Sequence, residues 1–108
     1  MEKKLKNLGL NSYEVKIWTA LTNAEKIKVC LIGKYFAHNI LKIPNTDGLD
    51  ISQLSNELAI PSTTLSKPLG NIVKERKITK VGGKYRIIYY EIENILNELN
   101  LKYKTNNQ

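Results

Sequence analysis

Seven cationic side chains fall between Pro61 and Arg86: Lys67, Lys74, Arg76, Lys77, Lys80, Lys84 and Arg86. One carboxylate, Glu75, stands among them. The segment therefore carries +6 of a total of +7, and the rest of the chain nearly cancels. Charge gathered into one stretch is the footprint of a polyanion-binding surface. The same stretch supplies hydroxyls at Ser62, Thr63, Thr64 and Ser66. Each hydroxyl can both donate and accept a hydrogen bond. Ammonium, guanidinium and hydroxyl groups at this density suit phosphate oxygens and base edges.

Other chemistries find little support. There is one cysteine, Cys30, and one histidine, His38. They give no metal cluster with ligand spacing. On one helix they would lie ~12 Å apart by helix rise, too far for a Cys–His nucleophile pair. Cys30 reads as a small buried hydrophobe. Gly82-Gly83 lacks the following helix and the spacing of a phosphate-cradling loop. The expectation is a protein that is not an enzyme and uses no cofactor. A lone cysteine allows no internal disulfide and fits a reducing, cytoplasmic compartment. No apolar leader opens the chain, and the apolar run from Ile27 to Ile43 is too short and too charged to span a bilayer, so no membrane partner is expected.

The elements that must position the basic segment can be read from caps and periodicity. At 108 residues the chain is expected to form one domain. A helical N-terminal part is expected over 11–43. Asn11 and Glu14 have capping-box spacing, Leu10 and Val15 sit where a staple would, and Val15, Trp18 and Leu21 share a face. Thr22 and Glu25 repeat the box, so a second helix should run to about Leu41 and stop before Pro44. Its apolar residues form two adjacent stripes: Ile27, Leu31 and Tyr35, then Val29, Ile32, Phe36 and Ile40. A stripe that wide belongs either to a central core helix or to one that also meets a second subunit. Trp18 and Phe36 read as core. Asp47-Gly48 is a turn, and Asp50 with Gln53 caps a short helix with Ile51, Leu54 and Leu58 inward. After a break at Ala59-Ile60-Pro61, Ser62 can cap a helix bearing Leu65, Leu69, Ile72 and Val73. Next come two strands joined by Gly82-Gly83, and a last helix over 93–104 with Ile95, Leu96 and Leu99. The tail TNNQ reads as a frayed end.

The order of short helix, tight break, second helix and basic hairpin resembles the winged helix-turn-helix family. The residues that carry the resemblance are Ile51-Ser52-Gln53-Leu54-Ser55, Leu58-Ala59-Ile60 and Ser62-Thr63-Thr64-Leu65-Ser66-Lys67, then Leu69, Ile72 and Ile78. The match covers roughly residues 50 to 92, with the helix-turn-helix at 50–77 and the wing at 78–92. It implies a mainly α fold with a β-hairpin, and double-stranded DNA as partner. It also implies that the second motif helix offers Ser62, Thr63, Thr64, Ser66 and Lys67 to the major groove. Lys80, Lys84 and Arg86 of the hairpin would lie beside the backbone or in the minor groove, with Arg86 suited to a narrow one, and Lys74 and Lys77 belong to the same DNA-binding set. Pro68 and Gly70 depart from the pattern. Either the helix is kinked at Pro68, or it starts late with Ser66 as cap. Tyr85, Tyr89 and Tyr90 could stack on single-stranded bases, although strand residues packed on a core are the commoner reading.

The opening LGLNSYEVKIWTAL is similar to that of the TrmB-like archaeal sugar regulators, without room for their ligand-binding domain. Helix order and size also resemble the TubR-type adaptors of plasmid and phage partition, which coat DNA repeats and recruit a filament-forming GTPase. The expectation is a homodimeric, sequence-specific regulator or repressor on nucleoid, plasmid or phage DNA. A partition adaptor, and a winged-helix protein-interaction module without DNA binding, are the alternatives. The dimer face is expected among Ile32, Phe36, Ile40, Ile95, Leu96 and Leu99.

Overall fold

A computed structural model describes residues 20–103 of the chain. The helix expected from Asn11, with Trp18 and the TrmB-like opening, lies outside the described residues. Thr22 and Glu25 form the expected box. The Glu25 N–H donates to the Thr22 hydroxyl at 3.2 Å, and the Thr22 N–H donates to Glu25 Oε1 at 2.8 Å. Two otherwise orphaned donors are satisfied, and helix α1 begins, spanning Asn23–Asn39. It ends where Ile40 and Leu41 both donate to the Phe36 carbonyl and Lys42 turns left-handed, just before Pro44.

Asp50 and Gln53 repeat the reciprocal cap at 2.7 and 2.9 Å and start α2, Ile51–Leu58. Ala59, at φ +57°, closes α2 in the left-handed region, and the Ser55 hydroxyl donates to the Ile60 carbonyl across the break. Helix α3 follows at Ser62–Lys74. Strands β1, Ile78–Val81, and β2, Lys84–Ile87, pair antiparallel from Ile78↔Ile87 to Val81↔Lys84. Gly82 and Gly83 have φ of +59° and +79°, the geometry that a two-residue hairpin turn needs. A 3-10 turn, Tyr89–Glu91, leads into α4, Ile92–Tyr103. Leu49 exchanges both backbone hydrogen bonds with Tyr85, adding a one-residue strand beside β2. The chain is thus a mainly α, α+β fold with an antiparallel hairpin between α3 and α4. Among the described residues no helix is long and apolar enough to cross a membrane.

All the elements meet in one core. Ile27 and Leu31 of α1, Leu54 of α2, Leu65, Leu69 and Ile72 of α3, Ile78 of β1 and Ile95 of α4 are fully buried. Each such side chain contributes about 1.5–3 kcal/mol by leaving water. Two sequence assignments change here. Ile32 and Ile95 are buried and Leu99 packs partly buried on the same cluster, so the chain's own core uses these three. Phe36 instead is 43% exposed, because the apolar arc of α1 is wider than the core it covers.

Glu25 also ties the two ends of the described chain. Tyr103 Oη donates to Glu25 Oε1 at 2.6 Å, and Lys102 Nζ lies 2.9 Å from Oε2. Burial alone would push this carboxyl up. The hydrogen bonds from Tyr103, Thr22 and Lys102 outweigh it and hold the carboxyl down at about 2, against an ordinary value of 4.5. A carboxyl depressed by folding stabilises the fold above its unfolded pKa and loses that contribution as pH falls through the folded one. Glu25→Gln is therefore expected to cost about 1–3 kcal/mol at pH 7. The gap to the native chain should close between the ordinary carboxylate range and about pH 2. Thermal melts of both proteins across that range check it. A gap independent of pH would show that the carboxylate charge contributes nothing.

Candidate nucleic-acid interface

Helix α3 is amphipathic by spacing. Leu65, Leu69 and Ile72 fill the buried stripe. Thr63, Thr64, Ser66, Lys67, Gly70, Asn71 and Lys74 are exposed, Ser62 is half-buried, and no carboxylate interrupts the exposed set before Glu75. Helix start and proline placement differ from two of the expectations. Ser62 is the first helical residue rather than the cap. Pro61 holds that place at φ −56°, ψ 142°, and its carbonyl accepts from Thr64 and Leu65. No side chain caps this helix, and an anion would be favoured at the N–H groups ahead of Thr64. The late start at Ser66 does not occur, and Pro68 sits inside the helix. Proline cannot donate to the Thr64 carbonyl one turn back. Thr64 lies on the exposed side, where water can serve that carbonyl. An added Cβ at Gly70 would meet nothing within 4 Å, so packing inside the chain does not demand glycine there.

The hairpin stands next to this helix, with β1 packed against α3. Ile78 and Ile87 are buried at its base, and Lys80, Val81, Gly82, Gly83 and Lys84 are exposed toward its tip. Lys80 Nζ lies 5.3 Å from the Tyr85 ring centre, so a cation–π contact props it on the strand face. Arg76 is exposed at the α3–β1 turn, at φ +61°. The structure therefore brings Thr63, Thr64, Ser66, Lys67, Lys74, Lys80 and Lys84 onto two adjoining exposed elements. Sequence reasoning passed over Asn71, which the spacing from Thr63 through Lys67 and Lys74 places on the same stripe.

Two expected contributors are engaged elsewhere. Lys77 Nζ is 3.1 Å from Glu91 and 3.9 Å from Glu98, clamping the hairpin base to the start of α4. The Glu91 hydrogen bond holds its ammonium pKa above the ordinary value. Arg86 Nη2 is 3.2 Å from Asp47 Oδ2, so its guanidinium lies against the 46–48 turn at the hairpin base rather than at the tip. The tyrosines also depart from the strand reading. β2 ends at Ile87, and Tyr89 and Tyr90 stand exposed at 66% and 67%, edge-to-face in the 3-10 turn. Of Tyr85, Tyr89 and Tyr90, Tyr85 is the one that packs partly on the core. Burial first, and then the charge of Glu57, push the Cys30 thiol up to about 11, which favours its protonated form. Among the described residues, no group of three or more His, Cys, Asp or Glu side chains could hold a metal ion.

Comparison with family models, with curated proteins and with solved structures gives no match.

Proposed function

We propose that the chain is a winged helix-turn-helix protein that binds double-stranded DNA as a homodimer and acts as a transcriptional regulator, without enzymatic activity. The observation that carries this reading is the exposed, carboxylate-free face of α3 beside a hairpin tipped by Lys80 and Lys84. A major groove admits one helix, and the first turns of α3 would offer Thr63, Ser66 and Lys67 to base edges. The hairpin lysines would sit on phosphates, giving affinity without sequence information. The order α2, α3, β1, β2, with Leu49 bridging β2, is compatible with a winged helix. Titration of duplex DNA at several salt concentrations tests the reading. Sub-micromolar, salt-dependent binding supports it, and no binding at low salt overturns it.

Dimerisation draws support from the apolar end of α1. Phe36, Ile40, Leu41 and Ile43 are 43%, 62%, 66% and 45% exposed in close succession. Leu96 and Leu101 add exposed apolar surface on α4. A two-fold pair would place one α3 in each of two successive major grooves, with half-sites about 10–10.5 base pairs apart. Phe36→Glu with Ile40→Glu is expected to give a monomeric mass by sedimentation at micromolar concentration. The native chain is expected at twice that mass. Because both side chains are exposed, the helix should remain folded by circular dichroism. A monomeric native chain would remove the dimer.

A further inference from the structure

Where α1, the 46–48 turn and β2 meet, the chain lines an open-sided cavity of about 160 Å³. Leu31 and Ile87 give it an apolar lining, and Tyr35 and Tyr89 contribute aromatic rings. Its polar lining includes His38, Asp47, Arg86 and Lys34, the last paired with Glu57. The chain's own carboxylate already marks where an anion is held: Asp47 Oδ2 is 3.2 Å from Arg86 Nη2 and 3.9 Å from His38 Nε2. That pairing is loose. The Arg86 and Asp47 side chains are 41% and 47% exposed, and exposed pairs of this kind contribute little stability. Asp47 also belongs to an irregular turn between left-handed Asn45 and Gly48, not to a helix or strand.

The guanidinium is incompletely satisfied as well. Arg86 Nε is buried without a hydrogen-bond partner. An unmet buried donor is costly. Gly48 makes the arrangement possible: at φ +86°, a Cβ there would stand 2.9 Å from Arg86 Cγ and 3.3 Å from Nε. The turn therefore leaves room for an arginine laid flat against it.

We propose that this cavity binds a small carboxylate with an apolar or aromatic body. Its carboxylate would replace Asp47 on Arg86 and His38, and its body would lie between Tyr35 and Tyr89. Size sets the class. An apolar cavity of about 150 Å³ accepts one benzene ring, and drug-sized pockets begin near 300 Å³. Binding at this site does not depend on the DNA-binding reading. Its use as an effector site does rest on it, because Arg86 belongs to β2, the strand that leads out of the turn beside Lys84.

Sodium benzoate is the probe, titrated against sodium chloride at constant ionic strength and followed by amide chemical shifts of the whole chain. Saturable shifts are expected at residues 34–39, 46–48 and 85–89. Arg86→Gln should weaken binding by about tenfold or more, the value of one charged hydrogen bond. His38→Ala should weaken it less, and Asp47→Asn should tighten it by removing the competing carboxylate. Should Arg86→Gln not fold, His38→Ala and Asp47→Asn carry the test. The proposal is overturned if the native chain shows no saturable shifts at tens of millimolar benzoate, or binds only as Asp47→Asn. It is also overturned if the shifts map to Lys67, Lys80 and Lys84, the pattern of unselective anion binding. A separate titration with duplex DNA at saturating benzoate addresses the effector role. An altered DNA affinity supports that role, and an unchanged one removes it.

Discussion

Alanine at Lys67, Lys74, Lys80 and Lys84 together is expected to weaken duplex-DNA binding by about two to three orders of magnitude near physiological salt. These four ammonium groups are exposed on α3 and the hairpin, with Glu75 at the end of α3 the one carboxylate in that stretch. Each phosphate contact releases condensed counterions, so each one lost lowers the slope of log K against log salt by about 0.9. The quadruple variant should therefore bind more weakly and respond less to salt, on specific and random duplexes alike. Lys77→Ala is the internal comparison. Its ammonium is paired within the chain with Glu91, so its loss should barely move the slope. A quadruple variant with the native slope would rule out these lysines as the phosphate contacts.

The second large effect concerns the support of the same helix. Leu65 is completely buried, and it lies between exposed Thr64 and Ser66. Leu65→Ala removes three buried carbons and leaves a cavity under the first turns of α3. Leu→Ala changes of this kind cost about 2–5 kcal/mol. A domain of this size has about 5–15 kcal/mol in total and loses roughly 4–8 °C of Tm per kcal/mol. The expected result is a Tm lower by about 10–30 °C, with unchanged steepness in urea. DNA affinity, corrected for the folded fraction, should fall much less. A Tm within a few degrees of native would mean that α3 is not held by this side chain.

What could be read in advance was local. Both capping boxes join residues three apart, and the Gly82-Gly83 turn needs only its two glycines, so composition and spacing sufficed. The buried stripes of α2 and α3 followed from periodicity. What spacing could not show are partners distant in sequence. Arg86 looked available for a groove because nothing near it in the chain is acidic, yet the turn at Asp47 folds back onto it. Lys77 is claimed by Glu91 and Glu98 in the same way. Tyr89 and Tyr90 read as strand on aromatic propensity. The last backbone bond of the hairpin is Ile88 N–H to the Lys77 carbonyl, after which the chain must turn to start α4. Pro68 was ambiguous because propensity argues against a proline inside a helix, and only the burial of Leu65, Leu69 and Ile72 around it decides the matter.

The one-residue strand at Leu49 has a mechanical meaning. Its N–H and C=O both bond to Tyr85, and the next residue, Asp50, caps α2. A load applied at the hairpin tip thus passes across two hydrogen bonds and one peptide unit into the first turn of α2. The hairpin is braced like a strut at its foot, not hung from a flexible joint. Part of the bracing of the whole appendage therefore comes from a residue that lies outside it.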